Sequence, residues 1–267
     1  MIVRLRARTA VTLLTCVVLS VAGMAQTDSL RSPLSLVGGV SAGLNLHSSS
    51  FQQLPGVPNC CVTFTGGTGF GLSLFGGIET ELNIHVFGKP LAIGVVGKYD
   101  MLSATLSEEE FVGNIINGST VTNGTVEHSI RAGYGVVGVQ PYVAMALAQN
   151  IPLRLRLSVM AGLPLGPSYT QEQALVSPSD PGYTFSDGTR LYNVSSGALP
   201  MASGLYVGIN LGVQYEVSLA PRLTVLPEAS YQLGITNLTS GTAWTASAFR
   251  VGATISYRLE KSAPPPS

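Results

Sequence analysis

The chain has 267 residues, 45% of them hydrophobic and only 10% charged, with 31 glycines and no net charge. Average proteins are about 25% charged, so a water-facing surface for this chain would be unusually bare, and zero net charge with no basic stripe argues against nucleic acid as a partner. The length suffices for one barrel-sized domain and not for a second large one.

The first 25 residues read as an export signal. Arg4, Arg6 and Arg8 are the basic start, Ala10 to Val21 the apolar core, and Gly23-Met24-Ala25 a small-residue cleavage site before Gln26. The apolar stretch is shorter than the ~20 residues that a spanning helix needs. Leu13-Leu14-Thr15-Cys16 is not a lipoprotein box, because Thr precedes the Cys and apolar residues continue past it. Residues 26–32 form a polar linker, and a barrel domain is expected over 33–260.

From there the chain reads as period-two strands. The first, 35–47, alternates Val40, Ala42, Leu44 and Leu46 with Ser41, Gly43 and Asn45. The loop 48–65 carries Cys60 and Cys61. Adjacent cysteines rarely meet disulfide geometry, so they are expected to be loop thiols or a strained vicinal bridge. No His or acidic residue is close enough in sequence to make a metal site with them. Strand two, 69–86, places Phe70, Leu72, Leu74, Ile78, Leu82 and Ile84 on one face, and Phe87-Gly88-Lys89-Pro90 turns the chain. Strand three, 91–105, has Leu91, Ile93, Val95, Tyr99 and Met101 on its oily face. The loop 107–127 starts with Glu108-Glu109-Glu110 and continues in Asn, Gly and Thr.

Strand four, 128–147, changes phase. Ile130, Ala132, Tyr134 and Val136 share one parity, and Val137, Val139 and Val143 share the other, which predicts a β-bulge near Val136 that keeps the oily face outward. Strand five runs from Leu153 to about Gly166, or on to Leu175, and is followed by the long loop 176–200. Strand six (201–219) turns at Ala220-Pro221-Arg222 into strand seven (223–238). Strand eight spans 243–259, and the Pro-rich tail 261–267 is expected to be disordered.

Strands in globular proteins hold about 5–6 residues, whereas a tilted strand crossing a bilayer needs about 9–11. An even number of long strands, with connections alternating long and short, predicts an all-β, eight-stranded antiparallel up-and-down transmembrane β-barrel. Its rival is a soluble, lipocalin-like barrel with the oil inside. A soluble surface carries about 25–35% charged residues, yet the polar face of strand six offers Gly208, Asn210, Gly212 and Gln214 with the single acid Glu216. The polar face is therefore expected inside. The charges on that parity, Glu79, Glu81, Lys98, Asp100, Arg131, Arg154, Arg156, Glu216, Glu228, Arg250 and Arg258, are expected to form an internal network, since unpaired buried charge is costly. Phe70, Tyr99, Tyr231 and Trp244 would mark the outer membrane interface, Tyr215 and Tyr257 the periplasmic one.

The signal, the eight hairpin-linked strands, the mixed-charge interior and the closing strand Ala253-Thr254-Ile255-Ser256-Tyr257-Arg258-Leu259 together resemble the small outer-membrane barrels of the OmpA/OmpX type. Gly66-Gly67-Thr68-Gly69-Phe70-Gly71 also resembles the PorT-like barrels of Bacteroidetes and related bacteria. The resemblance covers about residues 33–260 and is one of architecture. It implies a Gram-negative host, outer-membrane lipid and lipopolysaccharide as surroundings, and the barrel-assembly machinery as a partner during insertion. Two departures are the terminal strand, which does not end the chain, and the lack of a peptidoglycan-binding domain.

Little chemistry is legible. Gly66 to Gly71 lacks the Lys-Ser/Thr of a phosphate loop. Some barrels of this kind modify lipid A with a His and a Ser; His47 and His128 fall near outer strand ends and His85 does not, but no motif ties any of them to a partner. Asn117, Asn123, Asn193 and Asn237 head sequons that, in a bacterium, mean only polar loops. Eight strands leave room for side chains but not for a wide pore. The expectation is thus no catalytic residue, no metal and no cofactor. The protein would have a structural or loop-mediated interaction role, with 48–65, 107–127 and 176–200 as contact surfaces and an extracellular partner that the residues do not reveal. A lipid A-modifying enzyme and a narrow channel are the alternatives.

Overall fold

The computed structural model describes residues 34–57, 62–117 and 119–259. The expected export signal, linker, cysteine pair Cys60 and Cys61, and Pro-rich tail lie outside the described residues. All regular structure among them is β. β1 (Leu34–Phe51) pairs antiparallel with β2 (Phe64–Val86) on one side and with β11 (Ala243–Arg258) on the other. β2 pairs with β3 (Lys89–Met101), β3 with β5 (Thr120–Ala146), and β5 with β6 (Leu153–Ser177). β6 pairs with β8 (Tyr206–Tyr215), β8 with β10 (Leu223–Gly234), and β10 with β11. The ring of eight strands closes on itself, so the wall exposes no strand edge. β4 (Ala104–Asn117) continues β3 beyond Leu102 and Ser103, and β9 (Val217–Ala220) continues β8 beyond Glu216 against the same neighbour, β10.

The short turns at Phe87-Gly88, 147–152 and Pro221-Arg222 share one end of the barrel with Leu34 and Leu259; the longer connections share the other. Around the turn-end half, the outward side chains are oil: Leu44, Val139, Leu157, Leu211, Val251 and Ile255 are all between 46% and 56% exposed. The inward ones are Asn45, Ser73, Asp100, Arg156, Gln214 and Arg250, all buried. This is the reverse of a water-soluble barrel, and only hydrocarbon is a favourable neighbour for such a wall.

Towards the loop end the arrangement turns inside out. Ile130, Ala132, Tyr134 and Val136 of β5 point inward and are buried, while Arg131 between them is exposed on the outer wall. The bulge expected near Val136 does not occur. The register of β5 against β3 runs unbroken from Met101↔Gly135 to Ala92↔Ala144, and the irregularity sits opposite, on β6, where Gly166 takes a φ of 56°. The four apolar residues therefore do not share the lipid-facing wall. The reason is length: β5 holds 27 residues, against the ~9–11 that cross a bilayer. Beyond the lipid the wall meets water, so its outer face becomes polar and the oil moves inside without any change of strand phase.

That upper chamber is filled. Leu54 and Val57, in the connection after β1, fold into it beside Phe51, Phe64 and Trp244, and Leu199 and Leu238 close it from other connections. The loop 48–65 is thus in part a plug, with its ends inside β1 and β2, and not wholly a contact surface.

The segment 107–127, expected as a loop, is a β-hairpin, and 176–200 contains a further strand, β7 (Leu191–Ala198), paired with β6. β4, the ends of β5 and β6, and β7 form a four-stranded sheet standing beyond the ring. Thr, Val and Ile in Thr120-Val121-Thr122 and Ile115 favour strand over loop. Asn117-Gly118 is a hairpin signal that the Asn, Gly and Thr content of the segment outweighed in the sequence reading.

Candidate functional site: a closed interior and an outer cleft

Midway along the barrel the buried carboxylate of Asp100 organises the interior. Lys98 Nζ lies 3.1 Å from Oδ2 and Arg250 Nη2 3.1 Å from Oδ1. Ser73 Oγ donates to Oδ1 at 2.7 Å and Gln232 Nε2 to Oδ2 at 3.0 Å. Arg250 also donates to Asn45 Oδ1 (2.6 Å) and to the carbonyls of Leu44 and Met101, and Lys98 donates to Gln232 Oε1 (2.9 Å). Two cations against one carboxylate would be unfavourable in a dry interior, but here neutral acceptors take the donors that the acid cannot.

A second layer lies towards the turn end. Arg156 stacks 4.0 Å from the centroid of the Tyr142 ring and reaches Glu228 at 3.3 Å, which Gln214 also contacts at 2.6 Å. Below it, Glu79 accepts from Arg154 Nη2 (2.9 Å) and Tyr142 Oη (3.0 Å), while Glu216 faces Arg154 (3.6 Å) and Lys89 (3.6 Å). Glu81 and Arg258 pair at 3.2 Å on the rim, both well exposed. A cavity of about 430 Å³ at that end is lined by Glu79, Glu81, Lys89, Arg154, Glu216 and Arg258.

Ten of the eleven charges expected inside therefore stand in the interior or on its rim. Arg131 does not. It lies on the outer wall above the oily belt, 64% exposed, paired with Glu172 at 2.9 Å. Its parity is that of the lipid-facing valines, and it is charged because lipid does not reach its height. The sequence reading missed the neutral partners Asn45, Ser73, Gln214 and Gln232. Their signal was a polar residue at an inward position, which says nothing about what it touches across the barrel.

Both ring nitrogens of His47 are occupied: Nε2 faces the Leu102 carbonyl (3.0 Å), and Nδ1 accepts from Trp244 Nε1 (2.9 Å). His128 has Glu110 Oε2 at 2.9 Å from Nε2 and Gln173 Nε2 at 3.2 Å from Nδ1. A neutral imidazole takes a proton only on a nitrogen with a free lone pair, so neither ring is arranged as a ready general base.

His128 belongs to a row that crosses the outer sheet. Asn193 Nδ2 donates to Gln173 Oε1 (3.1 Å), Gln173 Nε2 faces His128, and His128 faces Glu110, one side chain from each of β7, β6, β5 and β4. Asn193 sits in a left-handed conformation (φ 50°) where the β6–β7 register shifts. The bulge turns two consecutive side chains, Tyr192 and Asn193, to the same cleft, which a regular strand would send to opposite faces. The cleft is about 370 Å³, and Val112, Val126, Phe185 and Ser186 also line it. The Phe185 and Tyr192 rings are 5.5 Å apart at 37°.

The loop carrying Phe185 is tied to itself and to β6 by Arg190. Arg190 donates to the carbonyls of Asp180, Tyr183, Leu175 and Pro178 at 2.6 to 3.0 Å. Beside it, the Thr189 backbone N–H and hydroxyl hold the Asp187 carboxyl below the usual carboxylate range.

No family model matches the chain, and no curated protein does. Solved structures similar to it include Ail, the attachment invasion locus protein of Yersinia pestis, in complex with the heparin analogue sucrose octasulfate: 11% identity over 85% of this chain and 100% of that one, TM-score 0.32. Neisserial surface protein A shares 10% identity over 84% of this chain and 97% of its own, TM-score 0.38. The outer membrane protease OmpT of Escherichia coli shares 8% identity over 86% and 97%, TM-score 0.33. At these scores they lend no residue role to this chain. The strand pairings themselves make it an antiparallel up-and-down β-barrel.

Proposed function

We propose that this protein is a bacterial outer-membrane barrel with a closed interior, whose work is done by the sheet and loops of its loop end. The carrying observation is the pair of stacked seals. The Asp100 layer fills the bore within the oily belt, and the apolar chamber around Leu54, Val57 and Trp244 fills it above. A barrel sealed twice is a scaffold, and a rigid scaffold leaves recognition to what it carries at its rim. The turn end then faces the periplasm and the outer sheet faces the medium, with lipopolysaccharide around the upper wall and the barrel-assembly machinery as the insertion partner. Engaged ring nitrogens on His47 and His128 favour this reading over a lipid A-modifying enzyme.

The test is membrane fractionation with a heated-versus-unheated gel shift, combined with single-channel recording in planar bilayers. Outer-membrane recovery, a heat-dependent shift and no steady current are expected. Recovery as a soluble monomer without detergent, or a steady open current, would overturn the reading.

A further inference from the structure

We infer that the cleft of the outer sheet is a binding site for neutral saccharides; this rests on the proposal that the loop end faces the medium. A sugar ring presents an apolar C–H face and a rim of hydroxyls that both donate and accept. Its site therefore needs a flat apolar surface beside fixed groups of both kinds. Tyr192 and Phe185 supply the surface, with Val112 and Val126 lining the same cleft. Glu110 supplies a carboxylate acceptor, and Gln173 and Asn193 supply amides that donate and accept.

Three features make this a built site. The row Asn193–Gln173–His128–Glu110 locks four polar side chains, one from each strand, before any ligand arrives, which lowers the ordering cost of binding. The Asn193 bulge brings an aromatic ring and an amide together on one side of one strand. Arg190, through four carbonyls, fixes the loop that places Phe185 opposite Tyr192. The lining also sets the charge of the ligand. Among the described residues no Lys or Arg lines the cleft, and its one acid, Glu110, is paired with His128, so a sulfated, phosphorylated or acidic sugar would meet no fixed cation there. At about 370 Å³, the volume lies at the low end of the ~300–1,000 Å³ of small-ligand pockets, which suits the end of a glycan rather than a long chain.

The full chain, refolded in detergent micelles, would be tested on an array of neutral gluco-, galacto- and manno-oligosaccharides with sulfated and sialylated counterparts. Binding confined to neutral glycans is expected. Tyr192→Ala should weaken it by about tenfold, the loss typical of truncating an aromatic anchor, while Tyr192→Phe should retain it. Both variants should keep the heat-dependent gel shift, since Tyr192 is exposed. No neutral glycan bound, a preference for anionic glycans, or binding indifferent to Tyr192→Ala would overturn the inference.

Placement is read separately. Ser186→Cys, in a Cys60→Ser, Cys61→Ser background, should react with a membrane-impermeant maleimide on intact cells. Labelling only after lysis would sink the outward placement, while the array result would still decide the cleft's chemistry.

Discussion

Asp100 and Tyr134 show how differently two buried polar groups can bear on stability. Asp100 is the sole carboxylate touching both Lys98 and Arg250 among the described residues. Asp100→Asn keeps the shape but leaves two buried cations without counter-charge, and a loss of about 3–5 kcal/mol is expected. Tyr134 Oη is buried and has no hydrogen-bond partner among the described residues. Tyr134→Phe removes only a group that burial penalises, so stability should stay level or rise by up to about 1 kcal/mol. Trp244 is the only tryptophan in the chain and lies fully buried in the upper chamber, so its emission reports urea unfolding of both variants in phospholipid vesicles. His47→Phe, which leaves Trp244 Nε1–H without its acceptor, should lower the midpoint by the equivalent of about 1–3 kcal/mol.

At the scale of one element, β5 carries the boundary between two solvents. Val139 and Arg131 share its outward parity, eight positions apart, yet one faces oil and the other water. Val139→Arg should cost about 2–4 kcal/mol, as a cation does deep in the lipid face of a barrel. Arg131→Gln, which breaks only an exposed ion pair, should cost less than about 1 kcal/mol. Equilibrium unfolding of the two variants in the same vesicles checks the position of the boundary; equal costs would mean that lipid reaches Arg131. The bulge expected near Val136 was a misreading of this boundary. A phase change in the oily pattern has two causes, an inserted residue or a change of surroundings, and the sequence of one strand is the same for both.

For the whole molecule, the stacked seals make a prediction that one seal alone would not. Leu54→Ala should destabilise the fold by about 2–5 kcal/mol through the cavity it leaves. It should produce no ion current in planar bilayers, because the Asp100 layer still fills the bore beneath. A steady current from Leu54→Ala would show that the apolar chamber is the barrel's only barrier.

Period-two patterning by itself determined the ring. Alternation along strands such as six and seven, with short turns between alternate pairs, was enough for eight antiparallel strands, and the scarcity of charge on their polar face turned the oil outward. Strand pairing between chain neighbours is a local property, so it leaves a local trace. Only the tertiary structure decided who meets whom across the bore. Lys98 and Gln232 are 134 positions apart and Arg250 and Asn45 are 205 apart, and alternation records which way a side chain points but not what lies opposite. The inside-out upper chamber and the cleft arose the same way. Both depend on where a strand stands relative to the lipid and to three other strands, and a period of two carries no measure of height.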